Sequence, residues 1–72
     1  MEASLPIVVD AEILGGQPVF RGTRVPVQAL FDYLAKGTSL DTFIDYFPTV
    51  RREDAIQVLE HTKETLLAEA LR

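Results

Sequence analysis

The residues best suited to chemistry in this chain lie together in the short segment FRGTRV. Arg21 and Arg24 each carry a planar guanidinium group, and Thr23 adds a hydroxyl group between them. A guanidinium group binds carboxylates and phosphates through paired hydrogen bonds, and Gly22 allows a tight turn. The segment therefore predicts an anion-binding loop. A structural interpretation is also open, in which Arg24 pairs with an acidic residue of its own fold such as Asp32.

The rest of the sequence predicts neither a catalytic site nor a cofactor site. The segment GGQPVFRG lacks the Gly-Lys-Ser/Thr ending that binds phosphate and magnesium in nucleotide loops, and the chain has no cysteine. His61, the single histidine, has no Ser, Cys or carboxylate partner at a spacing typical of catalysis. We expect it on a helix surface, with haem ligation as the alternative. The chain is therefore expected not to be an enzyme and to need no cofactor.

Four acidic residues could be imagined as a metal site, namely Asp41, Asp45, Glu53 and Asp54. Asp41 and Asp45 share one face of a predicted helix, but no histidine ligand or glycine-rich loop accompanies them. We expect all four on solvated helix surface, with Asp41 near a helix N-terminus where its charge is favourable. No metal site is predicted.

Charge is distributed unevenly along the chain. The net charge is −4 and the pI about 4.7, which argues against nucleic acid as a partner. Five of the seven basic residues nevertheless lie between positions 21 and 52, whereas Glu60, Glu64 and Glu69 lie near the end. Those five are Arg21, Arg24, Lys36, Arg51 and Arg52. One region could therefore meet phosphates and another a basic protein.

The elements that must position these side chains follow from the hydrophobic pattern. Apolar runs at Leu5 to Val9 and at Pro18 to Phe20 predict a pair of short strands. Pro18 and Pro26 exclude a regular helix between them, so the segment GGQPVFRGTRVPV is predicted to be a shaped loop.

Three helices are predicted after this loop. The first begins at Pro26 and ends before Gly37, and the second begins at a Thr38 or Ser39 cap and ends before Pro48. The third follows Val50 and either reaches the C-terminus or breaks near His61 and Thr62. The apolar residues with helical spacing are Val27, Leu30, Phe31 and Leu34, then Leu40, Phe43, Ile44 and Phe47, then Ala55, Ile56 and Leu59. The aromatic residues expected in the core or a dimer interface are Phe31, Tyr33, Phe43, Tyr46 and Phe47.

Three helices with short connections fit a helix-turn-helix as well as a plain bundle. In a helix-turn-helix, Arg51, Arg52 and Gln57 would lie near the start of the recognition helix, and Lys36 is a further candidate for DNA contact. The last helix carries an apolar stripe that needs a partner, which could be a second copy or another protein. The stripe consists of Leu66, Leu67, Ala70 and Leu71.

The chain length limits the architecture. Seventy-two residues predict one domain, with the strands and loop at 5–24, the helix-turn-helix at 26–60 and a helical extension at 61–72. A chain this short, without disulfides, gains stability by burying surface against a second copy, so we expect a homodimer. The opening MEASLPIVVD is acidic where a signal peptide is basic, and its apolar run is too short for a membrane span. A cytoplasmic protein is expected.

The sequence resembles family 433 of the domains of unknown function, whose members read G-G-x-P-x-[IF]-x-G-T-R-[IV]-P-V, a motif that begins here at Gly15, and then carry a helix ending in Gly and an aromatic-Pro turn. The resemblance covers about positions 7 to 60. The matching residues are Gly15, Gly16, Pro18, Gly22, Thr23, Arg24, Val25, Pro26, Val27, Gly37, Tyr46, Pro48, Glu53 and Asp54.

That family is similar to VapB-like antitoxins, which are small homodimers with a homeodomain-like helix-turn-helix. The resemblance implies that this chain binds and silences a PIN-like ribonuclease toxin and represses its own operon, with Arg21, Thr23 and Arg24 contacting DNA or toxin. A protein-interaction module without DNA binding is the alternative. Family members usually have Thr or Ser where this chain has Arg51, so a helix cap of about 1 kcal/mol is lost unless Thr49 replaces it.

Overall fold

Two short strands close the N-terminal loop into a ribbon. In the computed structural model, which describes residues 5–71, β1 (Ile7–Val8) pairs antiparallel with β2 (Val19–Phe20), with Ile7 opposite Phe20. The Arg21 N–H extends the pairing by donating to the Pro6 carbonyl at 2.9 Å. The predicted strand pair is confirmed, although each strand is shorter than its apolar run.

The segment between the strands is more ordered than a linker. The Asp10 carboxylate accepts a hydrogen bond from the Glu12 N–H at 2.8 Å, which is a turn that Asp commonly forms. A 3₁₀ turn (Leu14–Gly16) follows, and its three residues all have positive φ angles. Glycine adopts this conformation without cost, whereas Leu14 at φ 51° pays about 1 kcal/mol or more.

Helix α1 (Val27–Ala35) is attached to the ribbon at its first turn. Pro26 supplies the fixed φ before the helix, and the Val27 N–H donates to the Pro18 carbonyl at 2.9 Å. The helix ends at Gly37, whose φ of 94° lets the Thr38 N–H return to the Tyr33 carbonyl at 3.0 Å. The predicted stop at Gly37 is confirmed, and the helix begins one residue after Pro26, which occupies the cap position.

Helix α2 (Leu40–Tyr46) begins at the Ser39 cap. The Ser39 hydroxyl oxygen accepts from the Thr42 N–H at 3.1 Å, so Ser39 rather than Thr38 satisfies the first turn. Pro48 then prevents continuation, and the Val50 N–H donates to the Phe47 carbonyl at 3.0 Å to form the turn to the next helix.

Helix α3 (Arg52–Ala70) is a single uninterrupted helix of 19 residues. The expected alternative of a break near His61 and Thr62 is wrong, because no Gly or Pro interrupts the segment. Every residue from Glu60 to Leu71 is exposed, so the second half of α3 extends beyond the packed domain.

The core lies between the ribbon and the three helices. Phe20, Leu30 and Phe43 are fully buried, and Ala55 and Val58 of α3 pack in the same cluster. Tyr33 lies against Phe43, Tyr46 and Phe47, with ring centroids 5.6–5.9 Å apart. Core packing is confirmed for Phe31, Tyr33, Phe43 and Phe47, whereas Tyr46 is 59% exposed. The result is a mainly helical domain behind a two-stranded sheet. Among residues 5–71, no helix combines the length and apolar character needed to cross a bilayer.

Candidate functional site

The G-T-R loop, residues 20–25, is held by its own hydrogen bonds. The Thr23 hydroxyl donates to the Phe20 carbonyl at 2.9 Å and accepts from the Val25 N–H at 3.0 Å. The Phe20 N–H donates to the Val25 carbonyl at 3.0 Å, and Gly22 at φ 77° makes the reversal possible. Since the single hydroxyl proton of Thr23 is used inside the loop, this residue first of all shapes the loop.

Arg21 connects the loop to the first turn of α3. Its Nη2 donates to Asp54 Oδ1 at 3.3 Å; the Asp54 side chain is 5% exposed and that of Arg21 53%. The expectation that Asp54 lies on solvated surface is wrong, because the loop folds over it and supplies a counter-charge. Asp41, Asp45 and Glu53 are exposed as expected. The expected alternative pair is also absent, since the structure contains no ion pair between Arg24 and Asp32, both of which it describes.

The N-terminus of α3 lacks a side-chain cap. Arg51 occupies the cap position and makes no side-chain capping hydrogen bond, while its carbonyl accepts from the Asp54 and Ala55 N–H groups at 3.0 and 3.1 Å. Thr49 is two residues too early and does not take over the role. The carboxylates of Glu53 and Asp54 lie in the first turn, where their negative charges interact favourably with the positive end of the helix dipole and stabilise this end of α3. The Arg51 side chain is exposed.

Arg52 is partly neutralised by α2. Its Nε donates to Asp41 Oδ1 at 3.0 Å, and both side chains remain more than half exposed, at 56% and 77%. The pair links the first turn of α2 to the first turn of α3 across the turn between them. Arg52 therefore offers less free charge to a partner than Arg51 does.

Arg24 lines an open groove between the G-T-R loop and the turn that precedes α3. The groove has a volume of about 560 Å³, and four of its eight lining residues are valine or isoleucine. Arg24 is exposed and forms no ion pair with any described carboxylate. The lining residues are Val8, Ile13, Val19, Gly22, Thr23, Arg24, Val25 and Thr49. Thr49 lies two residues before Arg51, so Arg24 shares this groove with the turn that leads into α3.

The other predicted DNA contacts lie elsewhere on the helices. Gln57 is partly buried in the second turn of α3. Lys36 is exposed at the end of α1 and is separated from α3 along the chain by the whole of α2. Arg51 and Arg52 thus lie at the start of α3, Arg24 shares a groove with the turn before it, and Lys36 lies at the end of α1.

The predicted partner stripe lies on the extended half of α3. Leu66, Leu67 and Leu71 are 65%, 51% and 84% exposed, and Ala70 is also exposed. His61 lines a shallow groove of about 330 Å³ that also includes Leu66 of the stripe. Within residues 5–71, no group of three or more His, Cys, Asp or Glu side chains could hold a metal ion.

One charged pair lies within the extended half of α3. Lys63 Nζ is 2.9 Å from Glu60 Oε1, one turn earlier on the helix. The hydrogen bond to Glu60, together with the attraction of its charge, raises the pKa of the Lys63 ammonium above its ordinary value. Lys63 is therefore fully charged at neutral pH.

Comparison with known proteins identifies the domain. Residues 7–61 match the family described as Protein of unknown function (DUF433). The chain belongs to this family. A solved DUF433 member from Anabaena variabilis ATCC 29413 superposes with a TM-score of 0.68 at 27% identity, over 94% of this chain and 70% of that one. This similarity supports the DUF433 assignment at the level of the fold.

A curated relative of the DUF433 domain is longer. The uncharacterized protein y4eO of Sinorhizobium fredii (strain NBRC 101917 / NGR234) is 39% identical over 54 residues, which are 74% of this chain. The matched region spans 24% of that relative. The shared segment is therefore a small part of the larger protein.

Local sequence patterns did not indicate the most buried polar contact of the DUF433 domain. Arg21 and Asp54 are 33 residues apart, and no motif in the chain joins them. The hydrogen bonds of Thr23 within the loop were predictable from the sequence, because a Thr hydroxyl in a turn commonly accepts a hydrogen bond from the backbone N–H two residues later.

Proposed function

We propose that this chain is a homodimeric antitoxin that binds a PIN-like ribonuclease and represses its own operon. The observation that carries the DNA-binding part is the position of Arg51 at the start of α3, with Arg24 on the groove that adjoins the turn before it. Both are exposed, and neither forms an ion pair with a carboxylate in residues 5–71. Exposed guanidinium groups without a counter-charge are suited to phosphate contact.

The helix end itself adds to this electrostatic preference. In a helix-turn-helix, the N-terminal residues of the second helix reach the DNA, and here that helix is α3. Its first N–H groups have no side-chain cap, and the helix dipole favours an anion there. A DNA phosphate would occupy the place of a side-chain cap, which gives a reason for Arg51 in that position.

The segregation of charge along α3 reconciles DNA binding with an acidic chain. Arg51 and Arg52 lie at its start, whereas Glu60, Glu64 and Glu69 lie on the extended half. At about 1.5 Å per residue, Glu60 lies about 12 Å from Arg52 along the helix and Glu69 about 26 Å, and both distances exceed the Debye length of about 8 Å at physiological salt. The acidic half therefore does little to repel DNA bound at the other end.

The extended half of α3 supports the nuclease-binding part of the proposal. On an ideal helix, with about 100° per residue, Leu67 and Leu71 lie on one edge together with Glu60 and Glu64. Exposed leucines beside carboxylates suit a partner surface that is apolar with a basic rim. We assign this acidic edge to the nuclease.

DNA binding is tested with Arg51→Ser, which removes the charge and restores a cap. Fluorescence anisotropy with the DNA upstream of the gene is expected to show salt-dependent binding by the wild type. Losing one phosphate contact should weaken the variant and lower its salt slope by about 1. Arg72→Gln, which removes one positive charge outside the described residues, is the control. Equal affinities for wild type and Arg51→Ser would contradict the proposal.

A protein-interaction module without DNA binding is the second candidate. It is favoured by the two pairs that neutralise Arg21 and Arg52, and by the net charge of −4. Reversing both charges with Arg51→Glu and Arg52→Glu separates the two functions. The repressor loses DNA binding and stays dimeric, whereas the interaction module never binds the DNA.

A further inference from the structure

One face of α3 carries a seam of residues spaced alternately by three and four. Its members, the α3 seam, are Ile56, Leu59, Lys63, Leu66 and Ala70. This spacing keeps the side chains on one face over several turns and is typical of a helix that packs along another helix. With four apolar members and one central lysine, the seam has the composition of a short two-helix interface.

Apart from Leu59, which is partly buried against the core, the seam is not covered by the domain to which it belongs. The side of α3 that packs in the core carries Asp54, Ala55 and Val58, which are all buried. Ile56 is 37% exposed and Leu66 65%, and beyond Leu59 every described residue of α3 is exposed. The seam therefore begins beside the core and continues onto a helix that has no neighbour within residues 5–71.

We propose that the α3 seam packs against the α3 seam of a second copy, with the two helices antiparallel. This inference deepens the proposed function, on whose homodimer it rests, by naming the dimer interface. A second copy is favoured as the occupant because Lys63 and the adjacent Glu60 of one copy match Glu60 and Lys63 of another when the two helices are antiparallel.

A parallel pair would bring like charges together. In register, Lys63 of one copy would lie opposite Lys63 of the other in the middle of the seam, where water is partly excluded. Like charges opposite one another destabilise such an interface. The parallel direction is therefore disfavoured by the only charged member of the seam.

An antiparallel pair resolves this conflict. When Lys63 lies opposite Leu59 of the second copy, Ile56 lies opposite Leu66. Each Lys63 then lies within about one turn of Glu60 on both copies, so that charges of alternating sign surround the two-fold axis. The Lys63–Glu60 pair of 2.9 Å already places the ammonium at the edge of the seam. Its aliphatic stem can cover Leu59 while the charge stays in water.

The antiparallel arrangement leaves both proposed binding surfaces accessible. Leu67 and Leu71 lie about 60–100° around the helix from the centre of the seam and stay available to the nuclease. The axis passes near His61, nine residues from Arg52, so the two Arg52 positions lie about 27 Å apart along the helices. The separation of the two basic ends is thus similar to the length of one DNA turn, about 34 Å.

Sedimentation equilibrium of the free protein tests this interface without DNA or nuclease. The wild type is expected to be a dimer, and Leu66→Glu should weaken association about tenfold or more because it buries a charge in the seam. Ala68→Glu adds the same charge on the opposite face and should leave the dimer unchanged. A monomeric wild type, or equal effects of the two variants, would overturn the inference.

Engineered cysteines test the direction, since the chain has none of its own. Mixing Ile56→Cys with Leu66→Cys under oxidation is expected to give a disulfide between the two variants, whereas Lys63→Cys alone should crosslink poorly. Efficient crosslinking of Lys63→Cys without the mixed product would show parallel helices and refute the proposal. A confirmed dimer that does not bind DNA would remove only the proposed repressor function, and a DNA-binding monomer would remove only this interface.

Discussion

The ion pair between Arg21 and Asp54 should contribute more to stability than the distance between its charged atoms suggests. Its N–O distance is 3.3 Å, whereas the pair between Arg52 and Asp41 is shorter at 3.0 Å. The Asp54 side chain is 5% exposed and that of Asp41 77%. Removal of one partner of a buried pair costs about 3–5 kcal/mol, and of an exposed pair about 0–1 kcal/mol.

Arg21→Met keeps most of the side-chain stem and removes the charge. Because the Arg21 side chain is 53% exposed, solvent screens the pair, and we expect a loss of about 1–2 kcal/mol, between the two limits. A domain of 72 residues has a total stability of only about 4–11 kcal/mol. The expected decrease in Tm is about 5–15 °C.

A double-mutant cycle measures this coupling. Urea unfolding followed by circular dichroism is recorded for Arg21→Met, Asp54→Asn and the double variant, and the same cycle is made with Arg52→Met and Asp41→Asn. The first coupling energy should be about 1–2 kcal/mol and the second about 0.5 kcal/mol or less. If the exposed pair couples as strongly as the buried one, the argument from burial is wrong.

Three further substitutions test the local structure. Thr23→Val removes a hydroxyl that makes two internal hydrogen bonds, so it should lower the free energy of unfolding by about 1–2 kcal/mol in urea titrations; an unchanged value would show that the loop does not need it. Gly37→Ala should cost about 1 kcal/mol through its φ of 94° alone, because an added Cβ would meet no atom within 4 Å; a loss below measurement error would contradict this. Ser39→Ala should cost about 1 kcal/mol by removing the cap of α2, whereas Ser39→Asp should retain most of the stability; equal losses would exclude capping as the cause.

Helix positions could be predicted from the sequence because their end signals are local. Pro26, Ser39 and Pro48 act on the next few residues, and Gly37 ends α1 through its own φ angle. The sequence alone left open whether α3 runs on past His61 and Thr62, because the polar residues from Glu60 to Thr65 interrupt the apolar pattern there. Its half beyond Leu59 packs on nothing within residues 5–71.

The candidate site was less predictable because its key contacts join distant segments. An acidic residue in the first turn of a helix usually lies in water, so only the folded G-T-R loop shows that Asp54 is buried beneath Arg21. The same fold distinguishes the arginines, since Arg21 and Arg52 have carboxylate partners and Arg24 and Arg51 have none in the described chain. The spacing of these four arginines in the sequence does not show which of them have carboxylate partners.

The most direct test of the proposed repressor compares stability and DNA binding in one variant. Arg51→Ser should raise the free energy of unfolding by about 1 kcal/mol, because Ser supplies the missing cap at the start of α3. In the same preparation, its affinity for the DNA upstream of the gene should fall, with a salt slope smaller by about 1. A more stable variant that binds this DNA as tightly as the wild type, at every salt concentration, would contradict a role for Arg51 in DNA binding.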